Sequence, residues 1–270
     1  MISATARNDS LPSQPKAQDF GCLNRVTVFA AASLSLFTGL ETGLAGPPLE
    51  TDDPDTPGPN RWEINLSSPF VNRNDTWLFQ PLLDLNYGVG ESVQLKLKPR
   101  WVVLDEPGSG AEAGAGNIQM GVKWRFLDQA RHQVSMSFYP QADLNPPGNL
   151  VDRGLVTEGT QFLLPLQVQR VFRRSKVYAE AGYNWREGQT DEWVLGLAAE
   201  HSLSDRFRLV GELRNVADDD FGDYEFFFNA GFKWTFHEQI TLLASAGRTL
   251  AESRGEGAAV FSYLGLQFTF

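Results

Sequence analysis

The sequence predicts an all-β chain, a transmembrane antiparallel up-and-down β-barrel of about 12 strands. A repeated hexad points to it first. Gly121-Val122-Lys123-Trp124-Arg125-Phe126, Gly231-Phe232-Lys233-Trp234-Thr235-Phe236 and Gly265-Leu266-Gln267-Phe268-Thr269-Phe270 share one pattern of glycine, apolar, Lys or Gln, aromatic, polar, Phe. Alternate residues of a strand face opposite sides, so each copy carries an apolar residue and two aromatics on one face and glycine with polar groups on the other. The second observation is a run of segments of about ten residues with period-two alternation, the length of a tilted spanning strand. The third is the tryptophans, all seven near predicted strand ends, as in aromatic girdles at two membrane interfaces.

In chain order, residues 1–20 are polar and unpatterned; Arg25 then precedes an apolar run from Val26 to Phe37, and Gly43 and Ala45 follow. This reads as a secretory signal peptide with cleavage after Ala45, so 1–45 is a polar leader plus signal, with a translation start nearer Arg25. The apolar run is too short to span a bilayer. Cys22, the only cysteine, precedes that run, so disulfides, a catalytic thiol and thiolate metal sites are not expected in the secreted chain. Residues 46–60 hold Pro47, Pro48, Pro54, Pro57 and Pro59 with Asp52, Asp53 and Asp55, and read as a solvated, extended periplasmic linker. The barrel is expected over 61–270. No later stretch is apolar enough for a membrane helix, so a membrane location requires a closed barrel; a secreted soluble β-protein is the alternative.

The expected strands are 61–68, 77–87, 91–103, 116–126, 132–143, 157–169, 175–187, 191–201, 206–215, 223–236, 239–248 and 258–270. Short connections alternate with longer ones at 69–76, 104–115, 144–156, 216–222 and 249–257, which with an even strand count places both termini in the periplasm of a Gram-negative cell. Trp62, Trp124 and Trp234 then lie toward the short-turn end, with Phe126, Phe236 and Phe270; Trp77, Trp101, Trp185 and Trp193 lie toward the long-loop end, with Phe138 and Tyr224. Phe270 has the position of an assembly signal in this class of barrel. Pro165 falls mid-strand, where a bulge or an inward-bent segment is expected.

Parity then assigns the lumen. Gln94, Lys96, Lys98 and Arg100 alternate with Val93, Leu95, Leu97 and Trp101. A cation facing lipid costs roughly 2–4 kcal/mol at the midplane, so the basic face points inward. Lys123 and Arg125 join it as a basic wall. Glu63, Asp84, Asp143, Glu180, Glu200, Glu212 and Glu225 share the inward parity, as do Lys176, Arg186, Arg208, Arg214 and Lys233. Such a lattice can fill the lumen by satisfying itself, or can form an eyelet that selects solutes by charge.

The net charge of −10 lacks the basic footprint of nucleic-acid binding. Enzymatic barrels need a base near the outer surface, whereas His132, His201 and His237 fall beside short turns, so no enzyme is expected, and no cofactor or metal site. The acidic loop Asp218-Asp219-Asp220-Phe221-Gly222-Asp223 lacks the ligand spacing of a helix-loop-helix calcium site and reads as solvated.

The run Thr51-Asp52-Asp53-Pro54-Asp55-Thr56-Pro57-Gly58-Pro59-Asn60-Arg61-Trp62-Glu63-Ile64-Asn65 resembles outer-membrane transporter barrels grouped with the phenol-degradation (MetA-pathway) proteins. Pro81-Leu82-Leu83-Asp84-Leu85-Asn86-Tyr87-Gly88, the hexad at 121–126, Glu158-Gly159-Thr160-Gln161-Phe162-Leu163-Leu164-Pro165 and Phe270 carry it further. The resemblance covers roughly 47–270 and implies a barrel in the outer membrane and a transport role; it does not imply phenol as substrate. The functional expectation is a passive channel for small solutes, anionic or aromatic ones among the candidates. Its partners would be outer-membrane lipid and lipopolysaccharide, the barrel-assembly machinery and the solute. A closed structural or envelope-binding barrel is the alternative, and a surface enzyme a more distant one.

Overall fold

The computed structural model describes residues 46–270. The expected signal peptide, with Cys22, Arg25 and Ala45, lies outside the described residues. The strands are β1 (Trp62–Arg73), β2 (Thr76–Phe79), β3 (Leu82–Val89), β4 (Val93–Glu106), β5 (Gly110–Leu127), β6 (Ser135–Phe138), β7 (Gln141–Leu144), β8 (Gln161–Phe172), β9 (Ser175–Arg186), β10 (Glu192–Ser202), β11 (Phe207–Asp218), β12 (Tyr224–His237), β13 (Ile240–Glu252) and β14 (Val260–Thr269). A single helical turn, α1 (Gln129–His132), joins β5 to β6, capped by the Asp128 side chain. β2 with β3, and β6 with β7, each make one stave of the wall, giving a closed antiparallel barrel of 12 strands. β1 closes on β14 from Glu63↔Thr269 to Asn72↔Val260, so the sheet has no free edge.

The interruptions are at prolines. Gln80-Pro81 separates β2 from β3 and Tyr139-Pro140 separates β6 from β7, because proline brings no N–H to the ladder. Its carbonyl still serves: Trp101 donates to Pro81 at 2.8 Å and Val122 to Pro140 at 3.1 Å. At Pro99 the β4–β5 register shifts before Trp101, a bulge. Pro165 departs from expectation, since β8 stays in register with Pro165 opposite Gly182 and neither bulges nor bends inward. Gly182 supplies the reason: a side chain there would lie 3.2 Å from the Pro165 ring, so the glycine admits an inward proline.

The ladders run further than the sequence pattern on the side away from the termini. The expected loops 69–76 and 104–115 shrink to a two-residue turn at Asn74-Asp75 and a short one around Gly108. Asn74 and Asp75 have φ of 51° and 63°, the left-handed pair of a type I′ hairpin whose twist matches the strands. Polar and Gly/Ala residues read as loop there because hydrophobic alternation stops where the wall leaves the membrane, while backbone pairing continues. The one long connection among the described residues is 145–160.

The outer surface carries the two girdles. Around the rim where β1 begins, called here the terminus end, Trp62 packs on Tyr87 (4.8 Å between ring centres), Trp124 on Phe126 (5.6 Å) and Trp234 on Phe236 (5.8 Å). At the opposite end Phe70 meets Trp77 (5.0 Å), Phe162 meets Trp185 (5.6 Å) and Tyr183 meets Trp193 (5.0 Å). Leu95, Leu97, Met120, Val122, Leu164, Leu166, Leu195, Leu197 and Leu264 stay exposed between them, the apolar band expected of a lipid-facing wall. Phe138 changes girdle: it pairs with Trp124, so it belongs to the terminus end, because β6 begins three residues later than the alternation suggested.

Candidate solute path

The lumen is built by the inward parity. Lys96, Lys98, Arg100, Lys123, Asp84, Asp143, Glu180, Glu200, Glu212, Glu225, Arg214 and Lys233 are all buried inside the barrel; Glu63, Arg125 and Lys176 are half-buried toward the terminus end. The structure therefore brings the predicted lumen residues together as one interior lattice. Most wall cations find a wall carboxylate. Lys96 meets Asp84 at 3.5 Å, Arg100 meets Asp143 at 2.8 Å, Lys233 meets Glu200 at 3.1 Å and Arg214 meets Glu180 at 3.0 Å. Further toward the far end Arg186 and Arg254 share Glu192 at 2.7 and 3.1 Å, and Arg73 holds Glu225 at 2.6 Å.

The segment expected as a solvated periplasmic linker is instead a plug within this lattice. Pro47, Pro48, Leu49, Glu50, Thr51, Asp52 and Pro54 are buried. Leu49 packs in a small apolar cluster with Tyr178, Ala198 and Val210. The Glu212 carboxylate accepts the backbone N–H groups of Glu50 (2.9 Å) and Thr51 (2.7 Å), and Ser245 donates to the Pro48 carbonyl at 2.7 Å. Lys123 reaches Asp52 at 3.0 Å and the carbonyl oxygen of Asp53 at 2.6 Å; Lys176 reaches Asp53 at 2.7 Å and Asp55 at 3.3 Å; Gln169 donates to Asp55 at 2.6 Å. The physical reason is charge. The predicted inward residues carry more cations than carboxylates, and a buried cation without an anion is costly, so the aspartates fold in to meet them. Gly46 lies within contact of Asp52 and borders the same cavity as Glu63 and Gln267, so the described part of the plug turns back on itself toward the terminus end.

Two glycines admit the plug. A Cβ at Gly196, inward on β10, would sit 2.3 Å from the Thr51 hydroxyl. One at Gly88 would sit 1.8 Å from the Gly58 carbonyl, where the plug leaves the lumen beside the Asn60-to-Gly88 hydrogen bond of 3.0 Å. Between plug and wall lies a polar cavity of ≈ 170 Å³ bordered by Lys96, Lys123, Lys176, Lys233 and Arg208 and by Asp52, Asp53, Asp55, Glu63 and Asp84. The buried Tyr139 ring lies under two of these cations, with the Lys123 ammonium 4.7 Å from the ring centre and Lys96 at 5.6 Å. Tyr139 has no place in the charge pattern read from the sequence; its signal was the inward parity of a residue beside Pro140, and its ring lies over the small Gly121.

The opposite end of the lumen adds an apolar cluster to its charged pairs. Leu150, Leu155 and Val156 of the 145–160 connection fold over the mouth and pack on the inward Val71, Leu78, Val102, Leu104, Phe227 and Phe261. Each such side chain contributes about 1.5–3 kcal/mol when fully buried, so this lid is held shut by packing where the plug is held by charge. Arg153 ties the lid to Glu112 of β5 at 2.6 Å.

No protein-family profile and no curated protein matches the chain. Solved structures do. The COG4313 outer membrane channel from Pseudomonas putida F1 is 12% identical with a TM-score of 0.66, over 82% of this chain and 100% of that one. The NanC porin is 8% identical with a TM-score of 0.57 over 76% and 98%, and the KdgM porin, solved in complex with disordered oligogalacturonate, is 10% identical with 0.55 over 77% and 99%. At these identities the likeness is one of fold.

Proposed function

We propose that this barrel is a passive outer-membrane channel for small, preferentially anionic solutes, closed at rest by its own N-terminal plug. The observation that carries the reading is the cationic interior held in check by an acidic segment of the same chain, with a polar cavity beside it. Charged walls at a constriction set selectivity in pores. The fold shared with structures described as an outer membrane channel and as porins supports the same reading. Lys96, Lys98, Arg100, Lys123 and Arg125 would form the basic wall, opposed by Glu63, Asp84, Asp143, Glu180, Glu212 and Glu225. The terminus end would face the periplasm, with Phe270 read by the assembly machinery and the girdles set against lipid and lipopolysaccharide. Kinship with the phenol-degradation barrels belongs to this proposal too. Planar-bilayer recording of the refolded protein tests it: current steps with anions preferred are expected, and a Lys96, Lys98, Arg100→Ser triple variant should lose that preference. Absence of steps from both the whole protein and a form lacking residues 46–58 would overturn the channel.

The second reading is a closed structural barrel. It is favoured by the apolar lid at one mouth and the plug at the other. It predicts silence in both recordings.

A further inference from the structure

Lys123 and Lys176 differ from their neighbours on the wall. Among the described residues, every carboxylate within ion-pair reach of these two lysines comes from the plug: Asp52 for Lys123, Asp53 and Asp55 for Lys176. Lys96, Arg100, Lys233 and Arg214 have wall carboxylates of their own and keep them when the plug is absent. Withdrawing the plug therefore leaves both ammonium groups without a contacting carboxylate, since Glu200, across the ladder from Lys176, is already shared by Lys233 and Arg208; Lys123 is 3% exposed in its side chain, and the cavity beside it has room for about five waters. A buried cation left without its anion is the costly state of such a pair. Whatever replaces the plug must bring negative charge to the same two ammonium groups.

We infer that the plug aspartates are stand-ins for the solute: Lys123 and Lys176 form a binding site for a small organic anion bearing two or more carboxylates, and such an anion releases the plug by competing for them. The spacing supports a multivalent ligand. Lys123 takes the Asp52 carboxylate and, at 2.6 Å, the Asp53 carbonyl, while Lys176 takes the Asp53 carboxylate, so one residue of the plug bridges both cations. A monocarboxylate replaces one contact and leaves the other pair to hold the plug. A polycarboxylate replaces both at once, with the second contact made at high effective concentration. Lysine ammonium groups are point charges without the forked geometry of arginine, so the site reads the placement of two separate negative groups and not the orientation of either carboxylate, and a compact divalent anion cannot meet both. The backbone contacts from Glu212 to Glu50 and Thr51 are untouched by this competition and give the plug a place to return to.

The inference rests on the channel reading for its purpose, and its test does not depend on conductance. Thr51, fully buried against Gly196, is replaced by Cys in the full chain, and its reaction with a soluble maleimide is followed in detergent, with the unsubstituted chain as background. At constant ionic strength, citrate should raise the labelling rate about tenfold over acetate or chloride, the effect of losing one well-placed ion pair. A T51C chain also carrying Lys123→Gln and Lys176→Gln should label fast without citrate and gain nothing from it. Equal rates in citrate and acetate overturn the inference, as does an equal rise with sulfate and phosphate, which would make the effect one of divalent charge alone. A citrate-dependent rise in a protein that shows no current would sink the channel and leave the binding site standing.

Discussion

Arg73 shows what a single residue costs in this interior. It sits 1% exposed, donating to both oxygens of Glu225 at 2.6 and 2.7 Å. Arg73→Ala leaves that carboxylate buried and uncompensated, so a loss of about 3–5 kcal/mol is expected in urea unfolding of the barrel. Replacing both partners with Met and Leu should recover most of it; failure to recover would mean that the pair does more than satisfy itself. Residue-level legibility was high for direction and low for pairing. Alternation put Lys96, Asp84 and Glu225 inside, because a two-residue period leaves no other choice. It could not say that Lys96 would meet Asp84 across a ladder while Lys123 would meet Asp52 on another segment, since partners depend on stagger between staves that alternation does not encode.

At the scale of elements, the plug is the part the sequence misstated. Five prolines and three aspartates within fifteen residues have the composition of a tether, and composition carries no information about an electrostatic vacancy inside a barrel. The clue lay in the wall, where inward cations outnumber inward carboxylates. The plug also titrates. Burial pushes Glu50 up to about 8, against the pull of Arg214. Burial likewise acts upward on Asp53, but Lys176 and Lys123 outweigh it and hold Asp53 well below the ordinary carboxylate range. A raised acid favours docking below its free value near 4.5 and loses that contribution as pH climbs to 8; a lowered acid favours docking above its free value near 3.8 and loses it as pH falls. Maleimide labelling of the T51C chain, divided at each pH by the rate of the same chain unfolded in urea to remove the thiol's own titration, should therefore be slowest near pH 4–5, rise until about pH 8 and then level off. Glu50→Gln should flatten that rise. Gly196→Ala tests the seat itself: its methyl would meet Thr51, so plug release is expected with the urea midpoint of the barrel little changed.

For the whole molecule, the barrel, its closure by β1 on β14, the girdles and the strand count were legible because membrane burial imposes one rule on every stave. The lid was not, since Leu150, Leu155 and Val156 sit in a stretch of Pro, Gly and Asp without period, and their partners are scattered over six staves. Two closures of opposite chemistry make a prediction about salt. Plug contacts are ionic and partly screened, lid contacts are apolar and strengthen with salting-out. Leu155→Ser with Val156→Ser should open the lid at any salt, whereas the plug should loosen as sodium chloride rises; limited proteolysis of 145–160 and labelling at position 51 read the two separately.

The plug's shape has one more consequence. Because Gly46 turns back to Asp52 and the chain leaves the lumen at the rim where β1 begins, residues 46–60 make a loop that opens toward one rim. Among the described residues nothing threads through the cylinder, so no strand pair has to part for residues 46–60 to move. The last seam, β1 on β14, uses no plug residue, and the release inferred above would cost the plug its own contacts alone.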